Sequence, residues 1–435
     1  MMDFLSDNPQ NMFLHPRAGK ARLKLAHVGI HILTNAGDTL LNCALRELLQ
    51  QFLAPIDFTL IQWKQPVTQE TIDTINQTDG LIIGGGGLFL KDTYPNDISG
   101  WTWACPTELM KKINVPIIVF AIGYSRFRGQ PDFDPCFSNN VNELVKLSSF
   151  FGLRNYGSIE ATRGYVKDEY KEKISFQPCP TTLLSKYYPY HPKPRKEKFI
   201  AINCGFDRPQ YRFDNDTSSF IKNLASAINA LQNEGYIFRA YNHSLPDSKL
   251  SELLATQNIT MQSDLVGTIP CDMLINFYQD CDYVFAGRGH AQMIPFGLGT
   301  PSFALHCHNK TVWFNESINH PEWGAEVSDG CFREKILDFV HQDRHTLNQQ
   351  LQEAQENLWQ VTADNINKLK KIFNIDNSFS FARQLIIENA ELKEKCEELI
   401  AEKSALICKK NALINSKSWW ITKPLRLLSQ RIKQK

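Results

Sequence analysis

From Leu23 onward the chain alternates short apolar runs with longer amphipathic ones. Leu23–Ile30 reads as a strand. Thr39–Phe52 reads as a helix, with apolar residues at Leu41, Ala44, Leu45, Leu48 and Leu49, the spacing of one helical face. Phe58–Trp63, Gly80–Ile83, Val115–Ile122, Phe150–Leu153 and Ile174–Gln177 continue the set of strands. Strands separated by helical stretches predict βαβ units and a mainly parallel sheet. Between Tyr187 and Lys198 the pattern breaks. Pro189, Pro192 and Pro194 stand there among aromatic and basic residues, which marks a linker. The alternation then restarts, with strands at Phe199–Asn203, Tyr236–Tyr241, Asp282–Ala286 and Phe303–Leu305 and a helix at Phe220–Leu231.

The expected organisation is therefore two α/β domains in tandem. An N-terminal extension (1–22) precedes the first domain (23–186), and a linker (187–198) leads to the second (199–330). A cleft between two such domains, at the carboxyl ends of their strands, is a favoured ligand site. A helical segment (331–380) follows. After it Leu385, Leu392, Leu399, Leu406 and Leu413 recur every seven residues across an amphipathic helix (381–415). Asn389, Cys396, Lys403 and Lys410 occupy the other seam positions, so a single amphipathic helix or a weak homo-oligomer is expected rather than a strong coiled coil. The tail (416–435) interleaves Trp419, Trp420, Ile421 and Leu425 with Lys423, Arg426 and Arg431. That composition suits peripheral contact with an anionic membrane surface. Docking on the protein itself or on a partner is the alternative.

Composition narrows the class. With 435 residues, 43% hydrophobic and 21% charged, the chain is an ordinary globular protein long enough for two cores. A net charge of +1 gives no global field for nucleic acid. Eleven cysteines are scattered with no Cys-x-x-Cys pair, so no metal site is expected. His306-Cys307-His308 reads as the end of a buried strand. Met1–Lys20 lacks the apolar core of a signal peptide, and no run is long enough to span a bilayer. With free thiols, this predicts the cytoplasm, with possible attachment at the inner face of the membrane.

Chemistry concentrates at strand ends. Asn35-Ala36-Gly37-Asp38-Thr39 opens the first helix, where Asp38 or Thr39 can act as cap and the backbone N–H groups can hold an anion. Gly84-Gly85-Gly86-Gly87 fits neither a P-loop nor a dinucleotide fingerprint. It reads as a close approach, to a ligand or to a packed helix. Leu153-Arg154-Asn155 and Ser158 form another strand-end cluster. Tyr283-Val284-Phe285 leads into Arg288 and His290, two positions apart, and Phe303-Ala304-Leu305 leads towards Lys310. A planar guanidinium can clamp an anion, and an imidazole can move a proton.

In this order and spacing the elements resemble the polysaccharide pyruvyl transferase family. They are Asn35–Asp38, Gly84–Phe89, Gly123, Leu153-Arg154 with Ser158, Pro178-Cys179-Pro180-Thr181, Arg288-Gly289-His290, and Gly299-Thr300-Pro301 to Lys310. The resemblance covers roughly residues 23–315. It implies two Rossmann-like domains arranged as in GT-B glycosyltransferases, with a C-terminal helical extension. It also implies transfer of a pyruvyl group from phosphoenolpyruvate to sugar hydroxyls as a ketal, with no other cofactor. On this reading Arg288 and His290 are catalytic. Arg288, His290, Lys310, Gly85 and Gly86 hold the donor. Asn35, Asp38 and Arg154 hold a sugar or lipid-linked glycan acceptor. Asn155 stands where an acidic residue is common and Cys179 where Asp is common, which bears on the acceptor. A nucleotide-sugar glycosyltransferase of the same architecture, and a non-catalytic scaffold in a glycan-assembly complex, are the alternatives.

Overall fold

A computed structural model describes residues 23–31, 35–188, 197–214 and 216–375, with three further positions at 399, 403 and 406. The expectations for 1–22, for most of the linker, for the 381–415 helix and for the 416–435 tail lie outside the described residues. Leu399, Lys403 and Leu406 are helical and exposed.

Two six-stranded sheets form the body. The first contains β1 (Leu23–Gly29), β2 (Ile56–Gln62), β3 (Gly80–Phe89), β4 (Ile117–Tyr124), β5 (Phe150–Leu153) and β6 (Ile174–Phe176), in the order β2-β1-β3-β4-β5-β6. The second contains β7 (Lys198–Asn203), β8 (Tyr236–Asn242), β9 (Gln262–Leu265), β10 (Tyr283–Ala286), β11 (Ser302–His306) and β12 (Gly324–Glu326), in the order β12-β11-β10-β7-β8-β9. Neighbouring strands pair in parallel, as in Val28 with Ile83 and Ala286 with Asn203. The fold is α/β, two Rossmann-like domains in tandem.

Parallel sheets are buried on both faces, and the first sheet shows how. Leu25, Ile82, Ile118 and Phe120 face a core that is continuous with the second domain. Ala26, Val28, Leu81, Ile83 and Val119, on the alternate positions, face a separate outer core. Strand order reverses between β1 and β3 in one sheet and between β7 and β10 in the other. Crevices form at such switch points beyond the strand carboxyl ends.

Four elements depart from the sequence pattern. Strand β3 does not stop at Ile83 but runs through the glycines to Phe89. Strands β9 and β12, Gln-Ser-Asp-Leu and Gly-Ala-Glu, carry no apolar run because they lie at the sheet edges. The first helix begins at Ala36, and its cap is Asn35, whose Oδ1 accepts from Gly37 N at 3.0 Å. Neither Asp38 nor Thr39 caps it, so the Asp38 carboxyl is left for other work.

The helix Arg344–Ile372 passes from one domain to the other. Near its start Arg344 donates to Asp282 O at 2.8 Å, and Gln355 donates to Phe296 O at 2.5 Å, both in the second domain. Further along, Trp359 meets Phe52 edge-on at 4.7 Å, and Asn365 donates to Phe176 O at 2.8 Å, both in the first. Among the described residues no helix is long and apolar enough to cross a membrane.

The domains meet closely at Gly297, where an added Cβ would overlap the Thr181 carbonyl. Backbone cannot yield there as a flexible side chain can. Gly297→Ala is therefore expected to destabilise the protein by about 1–3 kcal/mol, read as a lower midpoint in urea denaturation. Gly235→Ala, with open space around its Cβ but a φ of 91°, serves as a backbone-strain control.

Candidate active site

A cleft of about 480 Å³ opens where the two switch points face each other. Its walls are strand ends. Asn35 and Asp38 follow β1, Gly87 lies near the end of β3, Ser125 follows β4 and Arg154 follows β5. Opposite, Asp207 and Arg212 follow β7, His243 and Ser244 follow β8, Arg288 and His290 follow β10, and His308 and Lys310 follow β11. Lys64, Arg154, Arg208, Arg212, Arg288 and Lys310 line it against two carboxylates, Asp38 and Asp207. The site is strongly cationic although the chain is nearly neutral.

Arg288 is not free to clamp a ligand with its whole fork. Its Nε donates to both Asp247 carboxylate oxygens at 2.8 Å. Its Nη2 reaches Asp207 Oδ1 at 2.8 Å and Ser244 Oγ at 2.9 Å. Asp247 is fully buried and also accepts from Asn203 Nδ2 and His243 N, both at 3.0 Å. Arg212 donates to both oxygens of Asp207 at 3.0 Å. Burial opposes ionisation of Asp207, but Arg212, Arg288 and Lys310 outweigh it and hold the carboxyl below its usual range.

Arg154 and Lys310 differ. Arg154 is buried against Gly123, where any Cβ would overlap the guanidinium, and its Nε has no hydrogen-bond partner. Burial lowers its pKa, with only Cys179 and Asp38 opposing; a guanidinium nevertheless stays charged. Lys310 sits one residue into the helix Asn309–Ser317 and lies over Gly289. Burial, then Arg212, Arg288 and Arg154, push its pKa down to about 7, with Asp207 opposing. This amine titrates at neutral pH.

His290 stands in the first turn of the helix Gly289–Gly297. Its ring rests on the backbone of Gly37, at the start of the Ala36–Phe52 helix, so that no side chain fits there. Nε2 is 3.8 Å from the Cys179 thiol, which also touches Thr181 Oγ1 at 3.1 Å. Burial, then Arg154, His243 and Lys310, hold the imidazole well below its usual pKa. It is neutral at pH 7 and able to accept a proton. Burial raises the Asp38 pKa, while Lys310, Arg154 and Arg288 oppose.

The structure thus brings Asn35, Asp38, Arg154, Arg288, His290 and Lys310 to one cleft. Gly85 and Gly86 are not among the residues that line the cleft. A Cβ on Gly85 would meet Leu41 at 3.0 Å, and one on Gly86 would meet Asp38 Oδ1 at 3.6 Å, so this part of the run packs strand on helix, and Gly87 is the glycine that lines the cleft. Asn35 is occupied as a cap. Asn155 caps the helix Tyr156–Arg163, accepting from Ser158 N at 2.8 Å, a role an aspartate fills equally well. Asp207, Asp247, Arg212 and His243 escaped sequence reasoning, because each is a single polar residue in a loop or a four-residue helical turn after a strand.

The architecture defines a class first: tandem Rossmann-like domains of the GT-B type. A putative UDP-N-acetylglucosamine 2-epimerase from Listeria monocytogenes is similar, with a TM-score of 0.53, 12% identity and coverage of 83% of this chain and 99% of that one. S. aureus MnaA with UDP has a TM-score of 0.47 at 13% identity, covering 82% of this chain and 98% of the other. An O-GlcNAc transferase from Thermobaculum terrenum has a TM-score of 0.44 at 12% identity, covering 83% and 70%. No curated protein matches the chain. The model of the family described as polysaccharide pyruvyl transferase matches residues 35–309, and the chain belongs to that enzyme family.

The Lys310 environment makes a prediction independent of turnover. Asp207 is the carboxylate that raises the Lys310 pKa against three guanidinium groups. Asp207→Asn should shift the Lys310 titration below about 7, followed through the ¹³Cε chemical shift of labelled lysine. An upward or absent shift would contradict the electrostatic assignment.

Proposed function

We propose that the cleft transfers a pyruvyl group from phosphoenolpyruvate to two hydroxyls of a sugar, forming a ketal in surface-polysaccharide biosynthesis. One observation carries this reading. Arg154 and Lys310, on opposite walls, are cations without a committed carboxylate, and they stand beside an imidazole held neutral. A small donor bearing both carboxylate and phosphate suits such a pair, with the free edge of Arg288 in support.

The chemistry divides between the two titratable groups. The Lys310 ammonium gives its proton to the methylene carbon of phosphoenolpyruvate, and C2 becomes electrophilic. A sugar hydroxyl attacks C2, and neutral His290 takes the hydroxyl proton. Phosphate then leaves from C2, taking the proton from His290 and so restoring the neutral imidazole. A second hydroxyl closes the ring at C2 and releases its proton, which restores Lys310. The products are one ketal and one phosphate. General acid–base groups of this kind contribute about 10²–10⁴-fold each. Asp38, half-buried at the acceptor side, orients the attacking hydroxyl. The acceptor is a sugar or a lipid-linked glycan, with work at the inner membrane face as the setting.

Incubation with phosphoenolpyruvate and a panel of glycosides should release phosphate and add the mass of a ketal-linked pyruvyl group to the sugar. Turnover of a nucleotide sugar, with no phosphate release from phosphoenolpyruvate, would overturn the reading. His290→Ala should lower kcat by about 10²–10⁴-fold without unfolding the protein. Arg154→Met should act mainly on KM for phosphoenolpyruvate.

Acidity supplies a separate check. Lys310 is required protonated, so kcat/KM for phosphoenolpyruvate should be high at lower pH and fall as pH rises through about 7. Lys310→Arg keeps the charge and cannot titrate there. It should lose rate and also lose this alkaline limb. An unchanged limb would assign it to another group.

A further inference from the structure

The cleft extends beyond its cationic centre. Past Asn35 and Asp38 it is lined by Trp63 and Lys64, at the end of β2, and by Thr93 and Tyr94, in the loop after β3. This lobe is aromatic where the rest is charged. Trp63 is buried, whereas Tyr94 is 50% exposed. The two rings meet edge-on at 4.8 Å, Lys64 Nζ lies 5.0 Å from the Tyr94 ring centroid, and it donates to the Tyr94 hydroxyl at 3.3 Å.

Two features show that the ring is held there. Tyr94 has a φ of 55°, in the left-handed region that a bulky residue rarely occupies, and outliers of that kind cluster at ligand clamps. The residues before it are also tied across the cleft. Arg208 of the second domain holds Asp92 through two hydrogen bonds of 2.6 and 2.7 Å and reaches Thr93 Oγ1 at 3.2 Å. The result is a half-exposed aromatic ring lining the cleft, with Trp63 against it and Lys64 Nζ over one face.

We propose that Tyr94 is the stacking platform for the pyranose ring of the acceptor. The C–H face of the sugar would lie on the tyrosine ring, and its hydroxyls would project towards Lys64 and the Asp38–His290 end. Aromatic faces with a few fixed polar neighbours bind such amphipathic ligands. The proposal deepens the pyruvyl-transfer reading and rests on it for the word acceptor. Tyr94 and Trp63 are specificity residues for the sugar, distinct from Arg154 and Lys310, which serve the donor.

Saturation-transfer NMR tests the shelf without phosphoenolpyruvate. Full-length protein is mixed with methyl β-galactopyranoside, methyl α-glucopyranoside or methyl N-acetyl-β-glucosaminide, with sorbitol as an acyclic control. At least one pyranoside should receive saturation on its ring protons, Tyr94→Phe should preserve it and Tyr94→Ala should abolish it, with circular dichroism unchanged. In turnover, Tyr94→Ala should raise the acceptor KM about ten-fold and leave that for phosphoenolpyruvate unaltered. Saturation that survives Tyr94→Ala, or that no pyranoside receives in the native protein, overturns the proposal. Tyr94-dependent saturation in a protein that does not consume phosphoenolpyruvate would fail the donor assignment and leave the sugar platform standing. Phosphate release with a Tyr94→Ala acceptor KM unchanged would fail the platform alone.

Discussion

Arg288, held between Asp247 and Asp207, is the interaction on which the site depends. Asp247 also accepts from Asn203 and from the His243 backbone, so one buried carboxylate joins the ends of β7, β8 and β10. Removing one partner of a buried ion pair costs about 3–5 kcal/mol, because the other charge is stranded. The arrangement has an electrostatic consequence too. Asp207 and Asp247 are committed to Arg288 and Arg212, which leaves Arg154 and Lys310 to polarise the cleft. The depressed Lys310 pKa and the neutral His290 follow first from burial and then from that excess of positive charge.

Helix geometry reinforces the same field. The helices Ala36–Phe52 and Gly289–Gly297 start on opposite walls and meet where the His290 ring lies on Gly37. Each turns the positive end of its dipole towards the cleft. Asn35 satisfies the Gly37 N–H of the first. Arg288, the residue before the second, makes no capping hydrogen bond with its side chain, since that side chain is drawn away to the two carboxylates.

Much of this was legible in the chain. Apolar strands between amphipathic helices gave the two parallel sheets, and reading strand ends located Arg154, Arg288, His290 and Lys310. What escaped has physical reasons. Edge strand β9 is largely exposed, and edge strand β12 is only three residues long, so neither carries an apolar signature. The glycine run resembled a ligand loop, yet Gly85 serves the packing of Leu41. Arg288 looked like a free clamp because Asp207 and Asp247 follow other strands, far away in the chain, with no pattern linking them to it. The depressed Lys310 pKa depends, beside burial, on three guanidinium groups gathered from both domains, a relation no local spacing encodes. Trp63 and Tyr94 looked like ordinary aromatic residues, and only the left-handed backbone and the half-exposed ring set Tyr94 apart.

The helix Arg344–Ile372 adds a mechanical dimension. Because it is fastened to Asp282 and Phe296 on one side and to Phe52 and Phe176 on the other, it works as a strut behind the cleft. The two domains cannot swing apart as bodies on a free hinge without tearing one set of these bonds. Opening for substrate entry must instead be a small shear along that helix, of the kind packed helices permit. Part of the energy of one domain's fold is thereby lent to the other, and the described body should melt in a single cooperative step rather than domain by domain.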